Sequence, residues 1–327
     1  MNSMSLLTPN RTVTCIAAAV VISTLAACGG SSGNNKDRET GIVSMAITDA
    51  PVDNVTLVQL SISRIDLKPA RGNVVVYTPA EPIIIENLLD LQGTNAVALL
   101  PATEVPAGDY NWLRLYIDGG YPDSFVVTNE GGNVDLLVPG QQGSNLPNTR
   151  HIQLVSGFAV PVGGRADFTI DVDLRRALTK PANQDYYLLR PALRITDDST
   201  TGSIFGVVDE ALVMDEECTN NLGNDQGVAV YLYEGTGATT GDIHVNDNGG
   251  TIGNDNPLTT GNVRLDTQSG LLTYSIGFVP AGDYTAALTC QALDDMPDQN
   301  DEILFSQSLN IAVVAGQNTS ADFTTSP

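Results

Sequence analysis

From Gly41 onward the apolar residues recur at every second position, and that period is the strongest constraint on what this chain can fold into. Val58, Leu60 and Ile62 alternate with Gln59, Ser61 and Ser63, after which the phase moves to Ile65 and Leu67. A β-strand with a bulge near Ser63-Arg64 accounts for the shift, because one extra residue turns every later side chain to the other face. Leu113, Leu115 and Ile117 alternate with Trp112, Arg114 and Tyr116. Phe125 and Val127, then Val134, Leu136 and Val138, flank Asn129-Glu130-Gly131-Gly132-Asn133, a hairpin signal. Ala166, Phe168, Ile170, Val172 and Leu174 alternate with Asp167, Thr169, Asp171 and Asp173. Helical periodicity is poor outside residues 86–100. Short strands with Gly-rich turns predict an all-β chain of antiparallel β-sandwiches.

With 327 residues there is room for two domains of ordinary size. Charge divides the chain in the same way. Residues 41–201 hold 18 acids and 11 bases, a net of −7, whereas residues 202–327 hold 18 acids and a single base, Arg264, a net of −17. The first sandwich is expected over 41–198 and the second, more acidic one over 202–327, with the polar stretch 196–201 (TDDSTT) as the joint. The second reads as short β segments at 202–208, 227–233, 263–265, 271–279, 284–288 and 309–314. A formal net charge of −23 repels nucleic acid phosphates and leaves cations as the ionic partners.

The stretch PAGDY occurs twice, at Pro106–Tyr110 and at Pro280–Tyr284. In Val105-Pro106-Ala107-Gly108 the proline suits the second position of a tight turn and the glycine its last. Tyr110 is then the first large side chain of the next strand, able to cover the core while its hydroxyl reaches back to a loop carbonyl, as in a tyrosine corner. Tyr284 repeats the device. Each module also closes on a related phrase, Val162 to Phe168 (VGGRADF) and Val314 to Phe323 (VAGQNTSADF). A folding element used twice fits these facts better than a carboxylate–phenol catalytic pair.

The N-terminus reads as a targeting segment. Arg11 precedes an apolar run from Val13 to Ala27, shorter than the roughly 20 residues a spanning helix needs. The run ends Leu25-Ala26-Ala27-Cys28, which resembles the lipobox of bacterial lipoproteins. The resemblance implies a signal peptide over 1–27, acylation (palmitate) of Cys28, and a membrane partner reached through those chains, which anchor stably when two or more are present. With Gly29 rather than Asp after the cysteine, similarity to known lipoprotein sorting patterns implies the outer membrane. Residues 28–40 are polar and Gly/Ser-rich, a flexible tether. Gly29–Gly33 matches the nucleophile-elbow pattern around Ser31 only formally, since no strand precedes it and no helix follows.

Residues 41–195 resemble the bacterial family called domain of unknown function 4382. The resemblance rests on Ile47-Thr48-Asp49-Ala50-Pro51, Leu88 to Leu91, Val105 to Tyr110, Phe168 to Asp173 and Leu188 to Arg194, in the family's order. It implies a secreted lipoprotein and lends no activity. The second module is similar to carboxypeptidase-regulatory-like, transthyretin-like sandwiches, through Gly202 to Val208, PAGDY and the closing phrase. That likeness implies a spacer or a binding platform.

The chemistry-bearing residues are few. Cys218 and Cys290 share the second module, and in an oxidising compartment a disulfide is the simplest reading, beside two free thiols or a metal site. His151 and His244 are the only imidazoles and lie in different modules, so a histidine-rich zinc site is excluded. Asp294, Asp295, Asp298, Asp301 and Glu302 could offer oxygen ligands to calcium, although they lack EF-hand spacing and also read as a solvated acidic loop. Asp171 and Asp173 share a strand face, where Arg175, Arg176, Arg190 or Arg194 could neutralise them. Trp112 and Tyr116 offer a small aromatic surface for sugar or protein, or a face covered by a loop. No nucleophile, base and orienting group are visible together. The residues point to a non-enzymatic, lipid-anchored envelope protein that binds or scaffolds, with a protein or polysaccharide partner and no certain cofactor beyond candidate calcium. The alternatives are a carbohydrate-active enzyme using paired carboxylates and a purely structural envelope component.

Overall fold

The computed structural model describes residues 39–50, 52–141, 149–214, 218, 227–244 and 255–325. The signal segment, Cys28 and most of the tether lie outside the described residues. The chain begins with β1 (Thr40–Ala50), β2 (Val55–Pro69), β3 (Val75–Tyr77), β4 (Ile83–Ile85) and β5 (Val97–Pro106). There follow β6 (Gly108–Asp118), β7 (Phe125–Thr128), β8 (Asn133–Leu137), β9 (Thr149–Leu154) and β10 (Phe158–Val160). The first half ends with β11 (Arg165–Asp173), the one-turn helix α1 (Leu174–Ala177), β12 (Leu178–Thr179), β13 (Tyr186–Leu189) and β14 (Leu193–Asp197). The second half holds β15 (Thr201–Val208), β16 (Ala229–Glu234), β17 (Thr259–Asn262), β18 (Arg264–Asp266), β19 (Leu271–Pro280), β20 (Gly282–Thr289), β21 (Gln307–Val313) and β22 (Asn318–Ser320).

The protein is almost all β. In the first half a four-stranded sheet runs β14-β11-β1-β5 and faces a ten-stranded sheet along β10-β6-β2-β7-β8-β13-β12, with β3, β4 and β9 attached to its inner strands. In the second, β18-β19-β15-β22 faces β17-β16-β20-β21. Pairing is antiparallel except at β1–β11, β8–β13 and β15–β22. One core gathers Val43, Met45 and Ile47 with Leu113, Leu115, Ile117, Phe168 and Ile170. A second gathers Ile204, Val230, Leu232, Tyr284, Ile311 and Phe323.

The bulge in β2 is present: its register against β6 shifts between Ile62 and Arg64, so Leu60 and Ile62 before it and Ile65 and Leu67 after it all reach the core. The hairpin at Asn129–Asn133 joins β7 to β8, but with the opposite phase in β7: Val126 is fully buried, while Phe125 and Val127 are half-buried. Residues 86–100 form no extended helix. Asn87 caps a single 3-10 turn, Leu88–Asp90, and β5 begins at Val97. The stretch 196–201 is not slack either, because β14 runs to Asp197, whose side chain caps the turn Asp198–Thr200, and β15 starts at the next residue.

The two halves share one frame. β1 and β15 each lie between an antiparallel partner, β5 or β19, and a parallel one, β11 or β22. PAGDY takes the chain from one sheet of each sandwich to the other, from β5 to β6 and from β19 to β20. The Tyr110 hydroxyl donates to the Pro106 carbonyl at 2.8 Å, and Tyr284 donates to Pro280 at 2.8 Å. The alanine amides of both corners bond the chain just before the first strand, Ala107 to Glu39 at 2.8 Å and Ala281 to Thr200 at 2.9 Å. Gly108 has φ of 118°, a backbone region that side chains with a Cβ avoid. The repeat is therefore a corner, built twice from the same five residues.

Candidate functional site

The polar faces of β1 and β11 would be solvated in an isolated sandwich, yet Thr48, Thr169, Asp171 and Asp173 are buried. They are covered in part by the second sandwich, whose β17 places Thr259 and Thr260 beside Thr48 and Asp171. This strand was missed in the sequence because all four of its residues (TTGN) are buried without an apolar pattern. Close contact continues at the 93–94 turn, where Gly277 packs so tightly on the Gly93 carbonyl that a Cβ there would sit 1.9 Å from it.

Asp53 lies at the centre of this seam, with its side chain fully buried. Its Oδ2 accepts from the Arg175 guanidinium at 2.9 Å, and its Oδ1 accepts from Arg264 at 2.5 Å and from Asn262 Nδ2 at 2.9 Å. Arg175 also donates to Asn262 Oδ1 at 2.7 Å and to the Ala292 carbonyl at 2.7 Å. Burial alone would raise the Asp53 pKa, but the Arg175 and Arg264 charges outweigh it and hold the carboxyl below its ordinary value. Arg264, the lone base of the acidic half, thus reaches across to the other sandwich. The four arginines named as partners of Asp171 and Asp173 divide. Arg194 pairs with Asp171 at 2.7 Å and Arg176 with Asp173. Arg176 also donates across the seam to Asn256 Oδ1 at 2.6 Å, and Arg175 and Arg190 cross it too, the latter to Asp298 at 2.6 Å.

Beside Asp53 the seam opens into a cavity of about 160 Å³. Its walls include Val52, Leu178, Leu293 and Met296, with Arg175 and Lys180 at its polar side.

Of the candidate calcium ligands, Asp295 and Asp301 come together with Asp242, which the sequence reading did not name, their oxygens within 4.8 Å of one another. The protein's own donors engage this group: Tyr231 donates to Asp295 at 2.6 Å, the Met296 amide to Asp301 at 2.7 Å, and the Asp301 amide to Asp242 at 2.7 Å. Burial, helped by Asp242, raises the Asp295 pKa. Asp294 and Glu302 are exposed and stand outside the trio, and Asp298 is paired with Arg190. Cys218 and Cys290 are joined as a disulfide. Trp112 and Tyr116 are half-buried, with Arg114 stacked 4.1 Å from the Trp112 ring and Arg64 4.6 Å from the Tyr116 ring. A guanidinium thus lies over each of the two rings.

Residues 40–191 match the family described as Domain of unknown function (DUF4382). The matched segment spans β1 to β13 and ends before the second sandwich. No curated protein matches the chain. Among solved structures, a leucine-rich repeat protein from Bacteroides thetaiotaomicron is 13% identical with a TM-score of 0.20, over 87% of this chain and 26% of that one. The Bacillus anthracis TIE protein is 11% identical with a TM-score of 0.19, over 88% of this chain and 34% of that one. A proposed adhesin from Bacteroides ovatus is 9% identical with a TM-score of 0.17, over 92% of this chain and 100% of that one. This chain spans about a quarter and a third of the first two. Scores this low lend nothing to the site, whose reading rests on the chain's own residues.

Proposed function

We propose that this chain is a lipid-anchored protein of the bacterial cell envelope, held at the outer membrane through acylated Cys28. Its two sandwiches act together as one non-catalytic binding or scaffolding body for a protein or glycan. The observation that carries the reading is the Asp53 cluster. A carboxylate with its side chain fully buried, bonded by one arginine from each sandwich, fixes the two halves against each other. Such a pair tolerates little relative motion, because separation would strand a buried charge. Asp53 with Arg175 and Arg264, and Arg190 with Asp298, are engaged with one another at the seam, which suits holding a surface in place. The Cys218–Cys290 disulfide supports an oxidising compartment.

Two measurements test this. Cells fed labelled palmitate should label the wild type and not Cys28→Ala, and that variant should leave the membrane fraction; equal labelling would refute the anchor. The soluble form from residue 39 should unfold in one cooperative calorimetric transition, and Asp53→Ala should split it into two. Two separate transitions in the wild type would refute the single body.

A further inference from the structure

Positive charge is scarce in this chain, yet it collects on the outward face of the ten-stranded sheet. There β2 and β6 pair so that Lys68 lies opposite Trp112, Asp66 opposite Arg114 and Arg64 opposite Tyr116. These six positions hold three bases and one acid, a net of +2 in a chain of −23. The one acid is already engaged, since Asp66 is buried and accepts from Arg64 Nε and Nη2 at 2.6 Å each. Beyond Tyr116, at the end of β6, Asp118 accepts from the Ser63 hydroxyl. The open donors therefore lie toward the other end of the face, at Arg114 and Lys68.

Arg114 is held by its own sheet. Its Nε donates to Gln153 Oε1 at 2.7 Å, and the guanidinium stacks 4.1 Å from the Trp112 ring. Its two terminal nitrogens have no acceptor among the described residues and are not buried. A guanidinium fixed in this way loses little rotamer freedom on taking a carboxylate. Lys68 forms no ion pair among the described residues and donates once, to the Gly72 carbonyl at 2.6 Å. It is diagonal to Arg114 across the strand pair, about 7–8 Å away at the backbone, so one polymer chain can touch both. Trp112 and Tyr116 are half-buried, which leaves part of each ring beside these donors. A charged sugar needs this combination, its carboxylate meeting the donors and its C–H face the ring. The acidic second sandwich packs on the polar face of β1 and β11, on the other side of the first core. The roughly 10 Å between packed sheets exceeds the screening length of about 8 Å at physiological salt, so its charge acts only weakly here.

We propose that this face binds an acidic polysaccharide, with uronate carboxylates on Arg114 and Lys68 and a sugar ring against Trp112. The inference rests on the non-catalytic binding reading above and names its ligand class. The two can fail separately. New reducing ends released from a bound oligosaccharide would refute the non-catalytic reading and leave the site standing, whereas absence of binding would refute the site and leave the single body untouched.

Isothermal titration of the soluble form with hexagalacturonate tests it. The comparisons are the fully methyl-esterified hexamer, polyglutamate, and vesicles of equal parts phosphatidylcholine and phosphatidylglycerol. Saturable binding of the hexamer is expected, about tenfold or more tighter than that of its ester. It should weaken between about 0.1 M and about 1 M salt, as the screening length falls from about 10 Å to about 3 Å. Arg114→Gln and Trp112→Ala should each weaken it about tenfold. Lys180→Gln removes the same charge away from this face and should change nothing. Unchanged thermal unfolding would confirm that the variants are folded, and Trp112→Leu reads the same ring contact should Trp112→Ala unfold. Polyglutamate bound as tightly as the hexamer would mark a surface for acidic protein, and vesicles bound without the hexamer would mark a membrane surface. Either result would overturn the proposal, as would no saturable binding of the hexamer up to about 1 mM, or binding that the Arg114 and Trp112 substitutions leave intact.

Discussion

Asp49 and Asp53 flank the turn that leaves β1, and both are buried near the seam, yet they sit in opposite electrostatic surroundings. Asp53 lies between two guanidiniums and an amide, and its pKa is lowered. Among the described residues no donor meets hydrogen-bond geometry at either oxygen of Asp49, although the Leu174 amide approaches the carboxyl. Its pKa is pushed well up, first by burial and then by the Asp171 and Asp173 charges; the Leu174 amide and Arg175 oppose that rise without reversing it. Burial by itself therefore decides nothing about a carboxylate. The charges packed around it decide whether it stays ionised and ties elements together, or takes up a proton.

The largest effect should come from cutting the Asp53 cluster. Asp53→Ala leaves Arg175 buried without its counter-ion and is expected to lower stability by about 3–5 kcal/mol in urea unfolding. The double variant Asp53→Leu with Arg175→Met removes both charges and should recover much of that loss. If Asp53→Ala loses less than about 1 kcal/mol, Asp53 behaves like a surface pair and the contrast with Asp49 disappears.

The pH dependence sharpens the same contrast, with opposite signs. The Asp53 contribution is fully present above the unfolded carboxyl value of about 3.9 and is lost as pH falls through the depressed folded value. For Asp49 the folded state keeps a proton that the unfolded state has already released. Stability should therefore decline as pH rises from about 3.9 toward the raised folded value, by at most about 1.4 kcal/mol per unit, and level off above it. Asp49→Asn removes that decline and should be more stable than wild type at pH 7 by on the order of 1–2 kcal/mol. A variant less stable than wild type at every pH would show that Asp49 is ionised in the fold.

Neither role could be read from the sequence, although much of the fold could. The bulge in β2 and the two corners depend on neighbours within a strand or a five-residue turn, so periodicity and turn chemistry reveal them. The Asp53 partners lie 122, 209 and 211 positions away, at Arg175, Asn262 and Arg264, and no local pattern encodes such pairings. Arg264 did carry a signal, as the only base among residues 202–327, since a lone cation in so acidic a stretch must sit near carboxylates. Asp242 was missed because it lies 53 positions before Asp295. The phase of β7 was misread because Phe125, Val126 and Val127 are all apolar and only Val126 faces the core.

The smallest effects provide the control for the comparison, because the two corners are alike where Asp49 and Asp53 differ. Tyr110→Phe and Tyr284→Phe each delete one hydrogen bond to a proline carbonyl and should each lower stability by about 1 kcal/mol. Equal losses would mean that the shared frame is energetically as well as geometrically repeated, leaving the seam as the origin of the difference between the aspartates. The corners should part at their glycines. Gly108→Ala forces a Cβ into a left-handed backbone and should be destabilising by about 1 kcal/mol or more. At Gly282 no left-handed φ is imposed, and a Cβ would meet the Tyr284 ring at 3.4 Å, an ordinary contact, so Gly282→Ala should be within about 0.5 kcal/mol of wild type. Equal losses at both glycines would mean that the turn, rather than φ at Gly108, governs the corner.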